Sequence, residues 1–410
     1  MPGRLRAPLR HSAFRTLWLG QSLALAAAEI HLVALAWLAL RMTGSALALG
    51  TVLAAGLAPR ILLTLAGGVA ADRFPVRRVL VVGNLARAVT VGVFVLVILT
   101  ARTQLWHLHA VAVFLGAVTS FYQPALYAAV PRLVGGETLR PANALMRGTA
   151  ELIGTLGPVA AGTLVAAVDV RAAFGATGVC YLLAALTLRG TGRASAEAVP
   201  PRTPGSGAAG TLREGIALVR GDAALLRVLL MTAVAGLVLT GPLTVGVPWL
   251  AAERYGAGPA TFGVMLSMWT AGSLGGVVLA GALSRMPSIN RLLLVVAAVI
   301  GTALVALGLA PGMIVAGAAL LLMGVGAGCF NVLVMTWLQE RTDQAVLGRL
   351  MSFVELAEVA TTPVSYLLAG ALLGVSVSGL YVAAALVFVL SAAAMLTPRA
   401  DRLLSVGGRP

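Results

Sequence analysis

Long apolar segments recur along the whole chain, and short polar segments separate them. A run of about 20 apolar residues can cross a hydrocarbon layer roughly 30 Å thick as a helix. Because lipid offers no water to backbone polar groups, such spans must be helical, and the pattern predicts an all-α integral membrane protein. The predicted spans, numbered 1 to 12, are residues 17–40, 46–70, 79–100, 105–130, 142–167, 171–188, 225–250, 260–283, 291–310, 313–337, 349–374 and 377–396.

Charge supports this prediction and orients the spans. Only 10% of residues are charged, against about 25% in ordinary soluble domains. All 29 basic residues are arginine, which gives a net charge of +15. The loops on one predicted side hold only Arg41, Arg102, Arg171 and Arg254, whereas most of the others fall on the opposite side. Basic loops stay in the cytoplasm, so this asymmetry predicts two cytoplasmic termini and removes the nucleic-acid interpretation of the positive charge.

The longest polar segment divides the chain. Residues 190–211 are rich in Gly, Pro, Ser and Ala, which is typical of a flexible linker. The following "TLREGIALVRGDAALLRV" has the spacing of an amphipathic helix on the inner membrane face. We therefore predict four parts: a six-helix half at 1–189, a cytoplasmic linker with this helix at 190–222, a second six-helix half at 223–397, and a cytoplasmic tail at 398–410.

The two predicted halves share weak internal similarity. Pairs of identical residues recur at constant offsets in corresponding loops and spans: Arg73 with Arg285, Pro75 with Pro287, Met146 with Met351, and Pro158 with Pro363. Two such sets support a duplicated six-helix unit, as in transporters built from parallel repeats.

A charged stretch follows span 2, "GGVAADRFPVRRV", residues 67 to 79. Its pattern of Gly68, Asp72, Arg73, Pro75, Arg77 and Arg78 resembles the loop 2–3 signature of the major facilitator superfamily. The segments "FYQPALYAAVPRLV", "PANALM" and "LGRLMS" are similar to the drug/proton antiporter branch that holds macrolide-efflux and siderophore exporters. This resemblance implies twelve helices in two pseudo-symmetric halves that alternate access to a midplane site.

The resemblance also implies a conformational latch at this loop. Gly68 would let span 2 approach span 11 closely, and Asp72 would then face the positive N-terminal end of span 11 and Arg349. Arg73, Arg77 and Arg78 would belong to the same charged contact. The alternative is that the arginines only enforce topology, and for Arg77 and Arg78 that role is expected in either case.

Few ionisable residues lie inside the spans, where each costs roughly 2.5–3.5 kcal/mol at the centre, so each is a functional candidate. We rank Glu29 in span 1 first as the proton or cation site; the alternative is a structural pair with Arg60 or Arg87. Glu151 in span 5 corresponds in position to the neighbouring Glu355 and Glu358 in span 11, and all three are further candidates for coupling.

Other spans carry packing and cavity candidates. Gly157 and Pro158 in span 5 resemble part of the antiporter signature and predict a helix kink. Two GxxxG pairs, Gly272/Gly276 and Gly324/Gly328, predict close helix packing. Several polar or aromatic residues are candidates to line a substrate cavity: Phe121, Tyr122, Gln123, Trp249, Trp269 and Asn331. For Trp249 the alternative is an anchor at the membrane interface.

These observations predict a proton-coupled exporter of an amphipathic small molecule, such as a drug, an antibiotic or a siderophore. Uptake or facilitated diffusion by the same fold is the alternative within transport, and a receptor or scaffold without flux is the alternative outside it. The sequence has neither a GxxxxGK[ST] phosphate loop nor HExxH metal spacing, so we predict no enzyme, no cofactor and no metal. The expected partners are a small-molecule substrate, protons and lipid, for a monomer in the cell inner membrane.

Overall fold

The computed structural model describes residues 8–100, 102–134, 138–190, 223–282, 289–342 and 344–394. Within these residues the chain forms twelve long helices. They are α1 (Ser12–Thr43), α2 (Ala46–Arg73), α3 (Val76–Thr100), α4 (Leu105–Leu133), α5 (Leu139–Ala167), α6 (Val170–Leu188), α7 (Ala223–Gly241, continued by wider turns to Arg254), α8 (Pro259–Ala282), α9 (Ile289–Leu309), α10 (Met313–Arg341), α11 (Gln344–Leu373) and α12 (Val377–Ala393). The predicted linker, most of the predicted amphipathic helix and the tail lie outside the described residues.

The predicted all-α membrane class is confirmed, and each predicted span corresponds to one helix. By length and composition, ten helices in the described part of the chain are apolar enough to cross a membrane, and two shorter apolar helices are Val359–Leu373 and Val377–Ala393. Several helices begin earlier than the apolar runs, as α1 does at Ser12 rather than at residue 17. Helices can continue through the headgroup layer, where polar side chains meet water.

Large apolar side chains on the outside of the helices are exposed, as lipid contact requires. Leu62, Phe114 and Leu390 are 77%, 62% and 65% exposed. In water, an apolar surface of this extent would drive association. In a bilayer, the same side chains lie against acyl chains.

The contacts group the chain into two compact units. The first comprises Met1–Gly44, Thr51–Thr203 and Gly256–Ser267, and the second comprises Ser45–Gly50, Pro204–Tyr255 and Met268–Pro410. The start of α2 therefore groups with the second unit and the start of α8 with the first. The finer boundaries at residues 189, 222 and 397 stay predictions.

In the first unit, α1 packs on α5 and α6, and α3 packs on α4 and α6. One end of this bundle is closed by a core built around Phe14, Leu80, Tyr122 and Leu188, each at most 2% exposed. Glycines bring α2 against α4, since a Cβ at Gly116 would collide with the carbonyl of Gly56. These contacts fix the positions of α1, α3 and α5, which carry the candidate site.

In the second unit, the two predicted GxxxG pairs form one seam between α8 and α10. A Cβ at Gly272 or Gly276 would collide with the carbonyls of Leu321 and Val325. On α10, Gly324 and Gly328 meet the carbonyls of Trp269 and Ser273 in the same way. Small residues on both helices let the backbones touch, so the packing prediction is confirmed.

Helix α7 widens near its C-terminal end into two π-helical turns, Pro242–Gly246 and Leu250–Arg254. Proline removes a backbone donor, and the wider turns accommodate that loss. The carbonyl of Pro242 accepts a hydrogen bond from the Tyr381 hydroxyl of α12 (3.0 Å). A neighbouring helix thus satisfies a carbonyl that lies where the regular hydrogen-bond ladder of α7 changes.

Candidate functional site

Glu29 lies in the middle of α1 and packs against Gly157 of α5. A Cβ built on Gly157 would be 2.9 Å from both the Cβ and the Cγ of Glu29, so the carboxyl-bearing side chain occupies space left by a missing methyl group. Glu29 is half-buried, and in the described part of the chain it takes part in no ion pair. A carboxyl in this apolar position is a group that can gain and lose a proton.

Arg87 does not pair with Glu29, which corrects one of the two predicted ion-pair alternatives. Its guanidinium lies over the ring of Tyr122, 4.2 Å from the centroid, and 5.6 Å from the centroid of Tyr181. It also donates a hydrogen bond to the Thr119 hydroxyl (3.1 Å). Arg87 is 6% exposed, so two aromatic faces and a hydroxyl stabilise its charge in place of the alternative acid partner.

Tyr122 lies inside the first unit, which corrects its assignment to the cavity wall. It is 2% exposed, and its hydroxyl donates to the Oε1 of Gln21 (2.7 Å). A buried tyrosine hydroxyl needs a partner, and Gln21 on α1 provides one deep in the bundle. The ring of Tyr122 therefore stacks against the Arg87 guanidinium, and its hydroxyl links α4 to α1 by a hydrogen bond.

The second predicted partner, Arg60, is half-buried in α2, where its backbone carbonyl lies 3.5 Å from the Ser120 hydroxyl of α4. His31, two residues after Glu29, is buried and meets the Phe174 ring edge-on at 5.6 Å. The spacing of two residues turns His31 away from Glu29, and the structure places it in the packing between α1 and α6.

Glu151 is in a different environment from Glu29. Its carboxylate forms an ion pair with Arg147 one turn earlier on α5, at 3.4 Å, and the two side chains are 45% and 77% exposed. Exposed pairs of this kind contribute little to stability. The predicted equivalence of Glu151 with Glu355 and Glu358 stays a prediction, because the side chains of those two residues lie outside the described part.

The loop between α2 and α3 is described only in part. Arg77 donates a hydrogen bond to the carbonyl of Arg189 at the end of α6, while Arg73 and Arg78 are exposed. Asp72 and Arg349 belong to α2 and α11, but their side chains, like the surroundings of Gly68, fall outside the described part of the molecule. The latch therefore stays a prediction. Of its arginines, Arg77 caps the C-terminal end of α6.

The remaining cavity candidates are spread over four helices, and one of them, Trp249, is half-buried on α7. Phe121 lines an apolar groove between α2, α3 and α4, and the Gln123 amide donates to the Tyr127 hydroxyl (3.4 Å). In the second unit, Trp269 is half-buried on α8 and Asn331 is exposed on α10. Within each unit, none of these residues shares a described hydrogen bond with Glu29 or with another candidate.

Comparison with known proteins decides the family. The sequence profile of the Major Facilitator Superfamily matches residues 17–359 of the chain. The chain belongs to the Major Facilitator Superfamily. It is therefore a multi-pass membrane transporter of small molecules and not an enzyme.

Individual relatives are distant. Macrolide efflux protein A of Streptococcus pyogenes is 23% identical over 368 residues, which cover 87% of this chain and 88% of the relative. Among solved structures, the nucleoside transporter NupG matches with a TM-score of 0.73 at 13% identity, covering 94% of this chain and all of that one. A bacterial homologue of the iron transporter ferroportin gives 0.73 at 17% identity (93% and 98% covered), and the D-xylose-proton symporter gives 0.72 at 16% (94% and 97%).

Because their sequences are under 25% identical to this superfamily member, the three structures demonstrate a shared fold and nothing further. They are named as transporters of different cargoes, namely nucleosides, iron and xylose, so the fold alone fixes neither the cargo of this chain nor the direction of transport.

The sequence analysis missed two contributors to the site, Tyr181 and Gln21. Both are polar groups inside apolar spans, and that unusual placement was the available signal. Tyr181 is 4% exposed and faces Arg87, whereas Gln21 accepts the Tyr122 hydrogen bond. The result is a buried polar network on α1, α3, α4 and α6 beside the α1–α5 contact that holds Glu29.

Proposed function

We propose that this transporter exports an amphipathic small molecule across the bacterial cytoplasmic membrane in exchange for protons. The curated relative at 23% identity is named a macrolide efflux protein, and it aligns along almost the whole chain. The residues that resemble the drug/proton antiporter branch, around loops 4–5 and 10–11 and at Gly157–Pro158, support the same direction. Multi-pass insertion with both termini in the cytoplasm follows from the arginine asymmetry.

Glu29 is the proposed proton carrier, and its setting is the observation that carries the proposal. It is half-buried in an apolar helix, lies against Gly157, and takes part in no ion pair within the described residues. An unpaired carboxylate is costly in such a place, so proton binding and substrate binding would both relieve the same penalty. When each occupant excludes the other, proton entry drives substrate exit.

The other carboxylates rank lower. Glu151 is exposed and already paired with Arg147, so its charge is stabilised without a proton. Glu355 and Glu358 on α11 remain second candidates, because two carboxylates three residues apart on a helix repel when both are charged. The latch at Asp72 and Arg349, and the monomeric state, also remain proposals.

The test is proton-driven transport of a macrolide antibiotic into inverted membrane vesicles, with the vesicle interior acidified. We expect Glu29→Gln to lower the gradient-driven rate by at least about tenfold, since a general acid or base typically contributes a factor of 10² or more. Glu29→Asp should keep part of the rate. Glu253→Gln, which removes an exposed carboxylate at the end of α7, is the matched control and should behave like the unchanged protein.

Three results would contradict the proposal in different ways. Coupled efflux that survives Glu29→Gln would remove Glu29 as the proton carrier. Flux that runs only toward the cytoplasm, or that ignores the proton gradient, would support uptake or facilitated diffusion. Binding without any flux in liposomes would support a receptor.

A further inference from the structure

A groove of about 340 Å³ opens on the first unit between α2, α3 and α4. Its walls are apolar side chains, including Phe74 just after α2, Val82 and Ala86 of α3, and Phe121 of α4. Phe74 and Val82 are 51% and 56% exposed, so the groove is open on the outside of the helices. The groove is independent of Glu29 and of the proposed proton coupling.

The floor of the groove is set by a glycine. A Cβ at Gly83 would lie 3.2 Å from the ring of Tyr122, which is itself fixed by Arg87 and Gln21. The absence of a side chain at position 83 therefore lets α3 lie close to α4 beside the groove.

Among the described residues, one charged side chain lines this groove, and it lies at one end. Arg78 is exposed and belongs to the first turn of α3, whereas its neighbour Arg77 donates to the Arg189 carbonyl. Along α3 the groove continues from Arg78 to Ala86, about 12 Å at 1.5 Å per residue. A cation at the interfacial end and an apolar channel toward the bilayer centre have the polarity of a phospholipid.

We propose that this groove binds an anionic phospholipid, with the phosphate at Arg78 and one acyl chain along α3. Phosphate oxygens accept charge-assisted hydrogen bonds from guanidinium, and methylene groups replace water against Val82, Ala86 and Phe121. The alternative occupant is the transported amphiphile itself. Its entry would not require a phosphate, so headgroup charge separates the two.

The experiment is native mass spectrometry of the purified full chain with one added lipid at a time: phosphatidylglycerol, phosphatidylethanolamine or phosphatidylcholine. We expect phosphatidylglycerol to be retained about fivefold more than phosphatidylcholine, as one interfacial arginine would provide. Arg78→Gln should reduce phosphatidylglycerol to the phosphatidylcholine level. Arg15→Gln is the matched control, because Arg15 is exposed near the start of α1, at the same end of the bundle, and does not line the groove.

A second pair of variants tests the acyl channel without touching the charge. Ala86→Leu should fill the groove and lower retention of every lipid, whereas Val89→Leu, at a position 63% exposed on the same helix, should not. Equal retention of charged and neutral lipids by the unchanged protein would overturn the proposal. So would phosphatidylglycerol binding that survives Arg78→Gln, or that glycerol phosphate alone displaces.

Discussion

Two charged residues of the first unit illustrate how neighbours decide the role of a group in lipid. Arg87 is held over Tyr122 and near Tyr181, with Thr119 accepting a hydrogen bond. Its charge is therefore stabilised permanently, and it has a structural role. Glu29 lies against Gly157 and takes part in no ion pair among the described residues, so its charge depends on what binds there. The same bundle thus holds Arg87, whose positive charge is permanent, and Glu29, whose protonation state can change.

The Gly157 contact predicts a sharp difference between two glycines of α5. Gly157→Ala would place a methyl group 2.9 Å from the Cβ of Glu29, which cannot rotate away, so α1 and α5 must shift by tenths of an ångström. We expect proton-driven transport to fall about tenfold, since small displacements of a reacting group are costly. Vesicle transport and thermal unfolding should be measured together.

Gly154→Ala is the control for that substitution, because its added methyl group meets no atom within 4 Å. It should retain normal transport, and it should unfold at the same or a slightly higher temperature, since alanine favours helix. Equal transport by the two variants would show that Gly157 does not position Glu29.

The stacking of Arg87 predicts that lysine cannot replace it. Arg87→Lys keeps the charge but loses the planar contact with Tyr122 and the fork that reaches Thr119, at a cost of about 1–2 kcal/mol. The melting temperature in detergent should therefore fall by several degrees. The exposed Arg41→Lys should leave it unchanged, and a stable Arg87→Lys protein would indicate that charge alone suffices there.

At this scale the sequence could identify which residues were unusual but not which ones meet. Glu29 and Arg87 were detectable because charges are rare inside apolar spans. The contact of Glu29 with Gly157 and the stacking of Arg87 on Tyr122 join different helices, and no local pattern encodes how those helices cross. The sequence therefore left open an ion pair between Glu29 and Arg87, whereas the fold surrounds Arg87 with aromatic rings.

At the scale of elements, the glycine seam between α8 and α10 was predictable. GxxxG places two small residues on one face of a helix, and both pairs meet backbone carbonyls of the facing helix. The helix bounds were also predictable to within a few residues, since hydropathy changes sharply at each span end. The π-helical turns of α7 were not, because Pro242 and Pro248 lie in an apolar run that reads like any other span.

The seam predicts a stability difference between adjacent glycines of α8. Gly276→Ala would drive a methyl group into the Val325 carbonyl of α10, and because backbone cannot rotate away, we expect a loss of about 1–3 kcal/mol. Gly275→Ala meets nothing within 4 Å and should be neutral. Thermal unfolding in detergent compares the two, and indistinguishable transitions would mean that the seam tolerates separation.

At the scale of the whole molecule, the chain combines a fold shared with transporters of different cargoes and an arginine distribution that predicts its orientation in the membrane. The TM-scores of 0.72–0.73 with transporters of nucleosides and xylose show how little of the sequence the architecture needs. Substrate and direction therefore reside in individual side chains, which is why twelve spans could be predicted from hydropathy and the cargo could not.

The prediction at this scale concerns which side of the membrane the N-terminus and the loop between α3 and α4 face. In a chain carrying Cys180→Ala and Cys329→Ala, a new cysteine at Thr103, between α3 and α4, should react with a membrane-impermeant maleimide in intact cells. A cysteine at His11, just before α1, should react only after the membrane is permeabilised. Labelling of His11→Cys in intact cells would place the arginine-rich side outside and refute the predicted orientation.

The buried thiol of Cys329 offers a way to measure the separation of α8 from α10. Its Sγ contacts the Gly276 carbonyl at 3.2 Å, inside the glycine seam, whereas Cys180 is half-buried elsewhere. A small lipid-soluble alkylating reagent should modify Cys180 readily and Cys329 only during moments when α8 and α10 part. The native cysteine thus serves as a reporter, and its alkylation rate would measure how often α8 and α10 separate.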